Sequence, residues 1–378
     1  MAGIYIHIPF CKSKCIYCDF YSETDRLPDS RFLKTLESEL EQKSGYLPNR
    51  QISAIYFGGG TPSLLAPKSV EHIIQKISDR YVLDADAEIT LEANPDDLNK
   101  DYLKALSKTS VNRLSIGIQS FDDEILEFLK RRHSGIQAKA AVLNAKAAGF
   151  FNISGDLIYS VPGMSGEIWR ETLKQFFELD IPHLSAYDLI YEEDTLLSRL
   201  KNQSKITEVS DNKSEEYFTL LRGESEKHGF EHYELSNFAQ SGFHSRHNSS
   251  YWKSTPYLGL GPGAHSFNGK SRQWNISNLN KWEKAVADKK TYYETEVLSI
   301  KDRFNEFVIT RLRTASGLSF QELTDDFGKP YCEYLIKTAE KFPESDAFVI
   351  NNKSLSLKKD FWFLSDNIIV KLLLSKAL

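Results

Sequence analysis

The sequence predicts an α/β fold built on a parallel sheet, with a small α+β helix-and-wing module toward its carboxyl end. Two observations carry this. Short β-branched or apolar runs alternate with amphipathic stretches through the first half of the chain, and each run is nearly continuous in apolar residues, as strands covered on both faces must be. From about Lys301 the alternation gives way to short helical patterns followed by FVINNKSLSLKKDFWFL.

In chain order the expected strands are residues 4–10, 53–57, 87–91, 113–118, 152–159 and 183–190. Between them Phe32, Leu33, Leu36 and Leu40, and again Val70, Ile73, Ile74 and Ile77, recur at helical spacing, with Asp29 and Asp122 suited to N-caps. Strands joined by crossover helices form either a doubly wound sheet or an open, partial barrel, and periodicity does not choose between them. Both gather ligands at the carboxyl ends of the strands. The polar stretch 196–216 reads as a surface loop leading into a helix around residues 217–228. In the terminal module Asn351 and Asn352 suit a hairpin turn, and the absence of a basic helix face favours a packing appendage over DNA binding. The domain plan is a core over 1–235, a connecting segment over 236–299 and a terminal module over 300–378.

The composition is that of a soluble globular chain, with 41% hydrophobic and 26% charged residues. Lys and Arg number 47 against 52 Asp and Glu, so no basic excess points to nucleic acid or an anionic membrane. The opening MAGIYIHIPFCKSK lacks the basic region and long apolar core of a secretory signal, and no later run is long enough to span a bilayer. Three of the four cysteines fall within eight residues, which indicates a metal or catalytic cluster rather than a disulfide framework. The expected compartment is the cytoplasm, with membrane association only through a partner.

Directly after the first strand comes HIPFCKSKCIYCDFYS, in which Cys11, Cys15 and Cys18 have the spacing CxxxCxxC. Thiolates favour iron-sulfur clusters and zinc, and three so close can converge only if the loop wraps a metal centre. Zinc would need a fourth ligand, for which His7 is nearest. At the end of the second strand Gly58, Gly59 and Gly60 allow either an ordinary turn or close approach of backbone to a ligand. Glu92, Gln119 and Asp156 each lie at or near a strand end, where polar groups face a pocket or serve as caps and buried hydrogen-bonded groups. In RHNSSYW, His247 stands among aromatics. That suits heme, whose iron takes an axial nitrogen and whose ring stacks on apolar surface, and it suits a hydrogen-bonded core histidine as well. His244 and His265 are alternative ligands, and Cys332 reads as a small buried hydrophobe.

The cysteine loop resembles that of the radical S-adenosylmethionine superfamily, which implies a [4Fe-4S] cluster on the three cysteines, an iron left for S-adenosylmethionine, and its reductive cleavage to a 5′-deoxyadenosyl radical. The resemblance narrows to the anaerobic coproporphyrinogen III oxidase-like family, because IYIHIPFC, FGGGTPS, LEANP, IGIQSF, DLIY and GLGPGAHSF follow in its order. It implies a partial parallel (β/α)6 barrel, with Tyr5, Tyr17, Gly59, Gly60, Thr61, Glu92, Gln119, Arg131 and Asp156 contacting S-adenosylmethionine. Two departures stand out. Phe20 occupies the position of a further oxidase cysteine, and the cysteine motif begins without the oxidase's amino-terminal arm. Together with the HNxxYW pattern of His247, Asn248, Tyr251 and Trp252, they resemble the heme chaperone branch of the family. That branch implies heme as cargo bound at His247, a heme-accepting protein, and an electron donor such as flavodoxin or ferredoxin. Oxidative decarboxylation of coproporphyrinogen III is the alternative activity.

Overall fold

The structure is a computed structural model and describes residues 2–342 and 345–376. All six expected strands form. β1 (Ala2–Ile8), β2 (Gln51–Gly59), β3 (Val82–Ala93), β4 (Arg113–Gln119), β5 (Ile153–Tyr159) and β6 (His183–Asp188) pair in consecutive order, each parallel to the next. Their crossovers are α1 (Ser30–Gln42), α2 (Pro67–Ser78), α3 (Lys100–Leu106), α4 (Asp123–Phe128), α5 (Gly135–Ala147) and α6 (Gly166–Glu178). A doubly wound sheet reverses its strand order at a switch point. This one does not, so the choice left open by periodicity falls to the open, partial barrel.

The helices form and pack for the reasons their sequences give. The Asp29 carboxylate accepts from the Phe32 amide at 2.8 Å, and Asp122 from that of Ile125 at 3.0 Å. Such a cap stabilises a helix by about 1 kcal/mol. Phe32, Leu36 and Leu40 of α1, and Val70, Ile73, Ile74 and Ile77 of α2, are buried, each contributing roughly 2 kcal/mol of apolar burial.

The polar stretch 196–216 is more ordered than its composition suggests. It holds α7 (Leu196–Asn202), and α8 (Asp211–Lys227) starts well before residue 217. Both helices are polar outside and apolar inside: Leu197 is buried, as are Tyr217, Phe218 and Leu221.

Beyond α8 the chain extends the sheet at both edges. β7 (Glu231–Glu234) and β8 (Asn237–Ala239) add to β6 in antiparallel fashion. After α9 (Arg246–Trp252), β9 (Tyr257–Leu260) crosses to the opposite edge and pairs parallel with β1, a seventh parallel strand that the sequence pattern did not reveal. β10 (His265–Phe267), β11 (Ser271–Asn275), α10 (Leu279–Ala287) and β12 (Tyr293–Val297) complete that edge. The terminal module comprises α11 (Ile300–Leu312), β13 (Leu318–Ser319), α12 (Phe320–Phe327), α13 (Lys329–Glu340), β14 (Phe348–Ile350), β15 (Ser354–Leu357) and α14 (Ser365–Ile369). Its three strands form the wing, and Asn351 makes the turn, its side-chain oxygen accepting from the amides of Lys353 at 2.8 Å and Ser354 at 3.0 Å. Among the described residues no helix is long and apolar enough to cross a membrane.

Candidate functional site

The loop between β1 and α1 carries the three cysteines and is held at several points. The Cys11 amide donates to the Glu23 carbonyl at 2.9 Å, the Glu23 amide to the Pro9 carbonyl at 2.6 Å, and the Leu197 amide of α7 to the Ile16 carbonyl at 2.9 Å. Two side chains reach the sulfurs: Thr61 Oγ1 donates to Cys11 Sγ at 3.4 Å and Arg131 Nη1 to Cys15 Sγ at 3.3 Å. All three cysteines are free and half-buried. Burial above all pushes the Cys18 thiol up to about 11, and the neighbouring Cys15 and Cys11 add to the shift. A bound cation reverses that penalty by stabilising the thiolate.

The cysteines open onto a cavity of about 510 Å³. The same wall holds Tyr17, Gly59, Gly60, Thr61, Glu92, Gln119, Arg131 and Asp156. Asp156 lies in the middle of β5 rather than at its end. Gln119 ends β4 with φ of 60°, a conformation rarely adopted outside glycine, and its Oε1 is buried without a hydrogen-bond partner. Arg131 Nε is likewise orphaned, while Arg131 Nη2 donates to Asn94 Oδ1 at 2.6 Å. Orphaned buried groups beside three thiols are what a site built for a cluster and a polar cofactor presents. Among the described residues no three His, Cys, Asp or Glu groups gather around one point as a single-ion site requires. A cluster instead asks each thiolate to reach its own iron.

The triple glycine has a reason within the protein itself. A Cβ on Gly58 would lie 2.9 Å from the rings of both Tyr5 and Tyr56, one on Gly59 2.6 Å from the His7 ring, and one on Gly60 2.7 Å from the Phe10 carbonyl. Gly59 also has φ of 106°.

Tyr5 and His247 lie apart from the cysteines. They line a second cavity of about 760 Å³, walled by inward-facing residues of all six strands β1 to β6. This is the barrel lumen. It shares Glu92, Asp156, Gly59 and the exposed Phe20 with the cysteine cavity. Helix α9 lies against the lumen, held at its amino end by Glu88 of β3, which accepts from the amides of Arg246 at 3.1 Å and His247 at 3.0 Å. The His247 ring stacks on Tyr56 with centroids 4.3 Å apart and meets Tyr251 edge-on at 4.8 Å. Its burial lowers its pKa to about 3, so it is neutral, and its Nδ1 finds no partner. Two other lumen histidines are fully engaged. His7 bonds to Tyr5 Oη and the Tyr21 carbonyl, and His183 to Ser154 Oγ and Tyr233 Oη. His265 lines the lumen from an exposed position, whereas His244 stacks on Tyr233 with its Nε2 2.9 Å from Glu231. Cys332 is buried in α13, away from both cavities. Sequence reasoning missed Glu88 and Asn94. The adjacency of Asn94 to Glu92 in LEANP was the available signal.

Two of the carboxylates shared by both cavities, Glu92 and Asp156, are unusual acids. Burial raises Glu92 to about 7, with Asp156 adding to the shift and the Tyr56 hydroxyl at 2.7 Å partly offsetting it. Burial also raises Asp156 to about 6, against the hydrogen bonds of Ser115 and other neighbours. Unfolded carboxyls titrate near about 4. Between there and about pH 7 the cofactor-free folded state therefore holds more protons, and the stability these groups lend at low pH is lost as pH rises through 6 and 7. Glu92→Gln, neutral at every pH, is expected to raise the cofactor-free Tm relative to wild type at about pH 8 and to leave it nearly unchanged at about pH 5. Equal shifts at both pH values in circular dichroism melts would contradict a buried titrating Glu92.

Residues 5–176 match the family model of the radical SAM superfamily. The chain is thus a radical S-adenosylmethionine protein, whose cofactors are a [4Fe-4S] cluster and S-adenosylmethionine. The chain is 34% identical to the heme chaperone HemW of Lactococcus lactis over 85% of its own length and 84% of that protein, and 32% identical to HemW of Bacillus subtilis over 87% and 88%. It belongs to the HemW heme chaperone family. Among solved structures, coproporphyrinogen III oxidase of Escherichia coli superposes with a TM-score of 0.82 at 21% identity, covering 98% of this chain and 89% of that one.

Proposed function

We propose that this protein binds heme in its barrel lumen through His247 and delivers it to an acceptor protein. The cysteine cavity would hold the cluster on Cys11, Cys15 and Cys18, and S-adenosylmethionine among Tyr17, Gly59, Gly60, Thr61, Glu92, Gln119, Arg131 and Asp156. When bound, the cluster supplies the electron for reductive cleavage of S-adenosylmethionine, drawn from a donor of the flavodoxin or ferredoxin kind. The protein's own residues do the rest. Arg131 donates to Cys15, and Glu92 and Asp156 offer carboxylates to a cationic cofactor.

The observation that carries the heme reading is the state of His247. It is a neutral imidazole in the lumen with an unpartnered ring nitrogen, while the nitrogens of His7 and His183 are taken. An axial ligand to heme iron must be neutral and not already committed to a hydrogen bond. Tyr5, Tyr56 and Tyr251 beside it offer the aromatic surface on which a macrocycle stacks.

In a heme titration, His247→Ala is expected to move the Soret band and to weaken binding tenfold or more, about 1.4 kcal/mol or more. His244→Ala is expected to do neither. A folded His247→Ala variant with wild-type spectrum and affinity would transfer the ligand role to His265, and absence of heme binding by the wild type would end the reading.

A further inference from the structure

The amino-terminal end of the lumen holds a cation that makes no ion-pair contact among the described residues. Arg113 is the first residue of β4, is 2% exposed, and lines the lumen but not the cysteine cavity. Its guanidinium donates to Asn152 Oδ1, and among the described residues no carboxylate comes within 4.0 Å of it. Asp156 shares the lumen wall beyond that distance, and its oxygens already accept from Ser115 at 3.1 Å and Ser154 at 3.3 Å. The other lumen neighbours of Arg113 are His183 and the hydroxyls of Ser154 and Ser185, and the Glu88 carboxylate of β3 is occupied by Ser245 Oγ and the amides of Arg246 and His247.

A buried guanidinium with no carboxylate in contact is costly, because the longer-range attraction to Asp156 offsets its desolvation only in part. It has five N–H donors in a planar fork matched to a carboxylate, and Asn152 takes one of them. The lumen thus offers guanidinium donors at the end where Arg113 sits and presents the His247 imidazole in the same cavity. A ligand with an apolar ring and carboxylate side chains would use both.

We propose that Arg113 binds a carboxylate of the tetrapyrrole cargo, that is, a propionate, and so sets which edge of the macrocycle enters the lumen. This rests on the heme reading above. It adds a residue that selects for free propionates and fixes orientation, a role distinct from axial ligation.

The test compares heme with heme dimethyl ester, which keeps the ring and the iron and masks both propionates. Wild type is expected to bind heme at least tenfold more tightly than the ester. Arg113→Gln is expected to bring heme affinity down to that of the ester and leave the ester's own affinity unchanged. Arg113→Lys, which keeps the charge and loses the fork, is expected to retain a reduced preference for heme, and serves if the glutamine variant does not fold. Stability gives an independent readout. An arginine kept for packing would lower Tm when replaced, whereas one kept for a ligand is expected to leave the heme-free Tm of Arg113→Gln unchanged or raised. Equal binding of heme and ester by wild type, or equal weakening of both by Arg113→Gln, would overturn the propionate role and leave heme binding standing. If wild type binds neither porphyrin, the heme reading itself falls, and the role of Arg113 with it.

Discussion

Replacing Cys11, Cys15 and Cys18 together by alanine is expected to take anaerobically reconstituted protein from about four irons and four sulfides per chain to none. Each single replacement is expected to lose most of the cluster as well, since three protein thiolates already leave one iron without a protein ligand. The fold should survive. The loop is anchored by backbone hydrogen bonds at Cys11, Glu23 and Ile16 that do not use the sulfurs. Far-ultraviolet circular dichroism should therefore match wild type while iron and sulfide vanish. Cys332→Ala, in α13, should leave both metal analyses unchanged. A triple variant with full iron and sulfide, or a wild type that takes up only zinc, would remove the cluster from these cysteines.

The second large effect concerns chemistry. Given coproporphyrinogen III, S-adenosylmethionine and a reductant under anaerobic conditions, this chain is expected to form no protoporphyrinogen while an authentic oxidase in the same assay turns over. The fold does not decide this, since at 21% identity the likeness to the oxidase is one of architecture. A side chain argues for it. Phe20, 60% exposed, lies where the cysteine cavity meets the lumen, at the position where the family resemblance implies a further cysteine in the oxidase. A phenyl ring offers apolar surface and neither a thiol to ligate nor a proton to give. Sustained protoporphyrinogen formation would reverse the assignment.

The parts of this protein that could be read from sequence are those whose physics is local. Parallel strands are covered on both faces, so β1 to β6 appear as apolar runs. The caps at Asp29 and Asp122 act across three residues, and the cysteines are neighbours in the chain. What could not be read depends on partners far away. β9 is four residues long, and only its pairing with β1 and β10 makes it a strand. α7 and α8 look like loop because their outer faces are polar, and their inner faces matter only once the sheet is there. Tyr5 shares a strand with residues leading to the cysteines, yet it lines the lumen rather than their cavity. Arg113 was legible only as an oddity, a charge opening the otherwise neutral strand RLSIGIQ.

The short helix that carries His247 has a consequence for the order in which the molecule is made. Seven residues form no stable helix alone. Glu88, 159 residues before His247, holds its first turn, and Arg311, 59 residues after Trp252, donates to the Trp252 and Lys253 carbonyls at its last. A ribosome supplies those contacts in sequence, Glu88 first and Arg311 last. The nascent chain can thus wind its six-stranded barrel and still lack a fixed imidazole until α11 has emerged. The setting of α9 is in this sense a late event of synthesis, and a chain released before Arg311 would carry the cysteine loop without the contact that closes the last turn of α9.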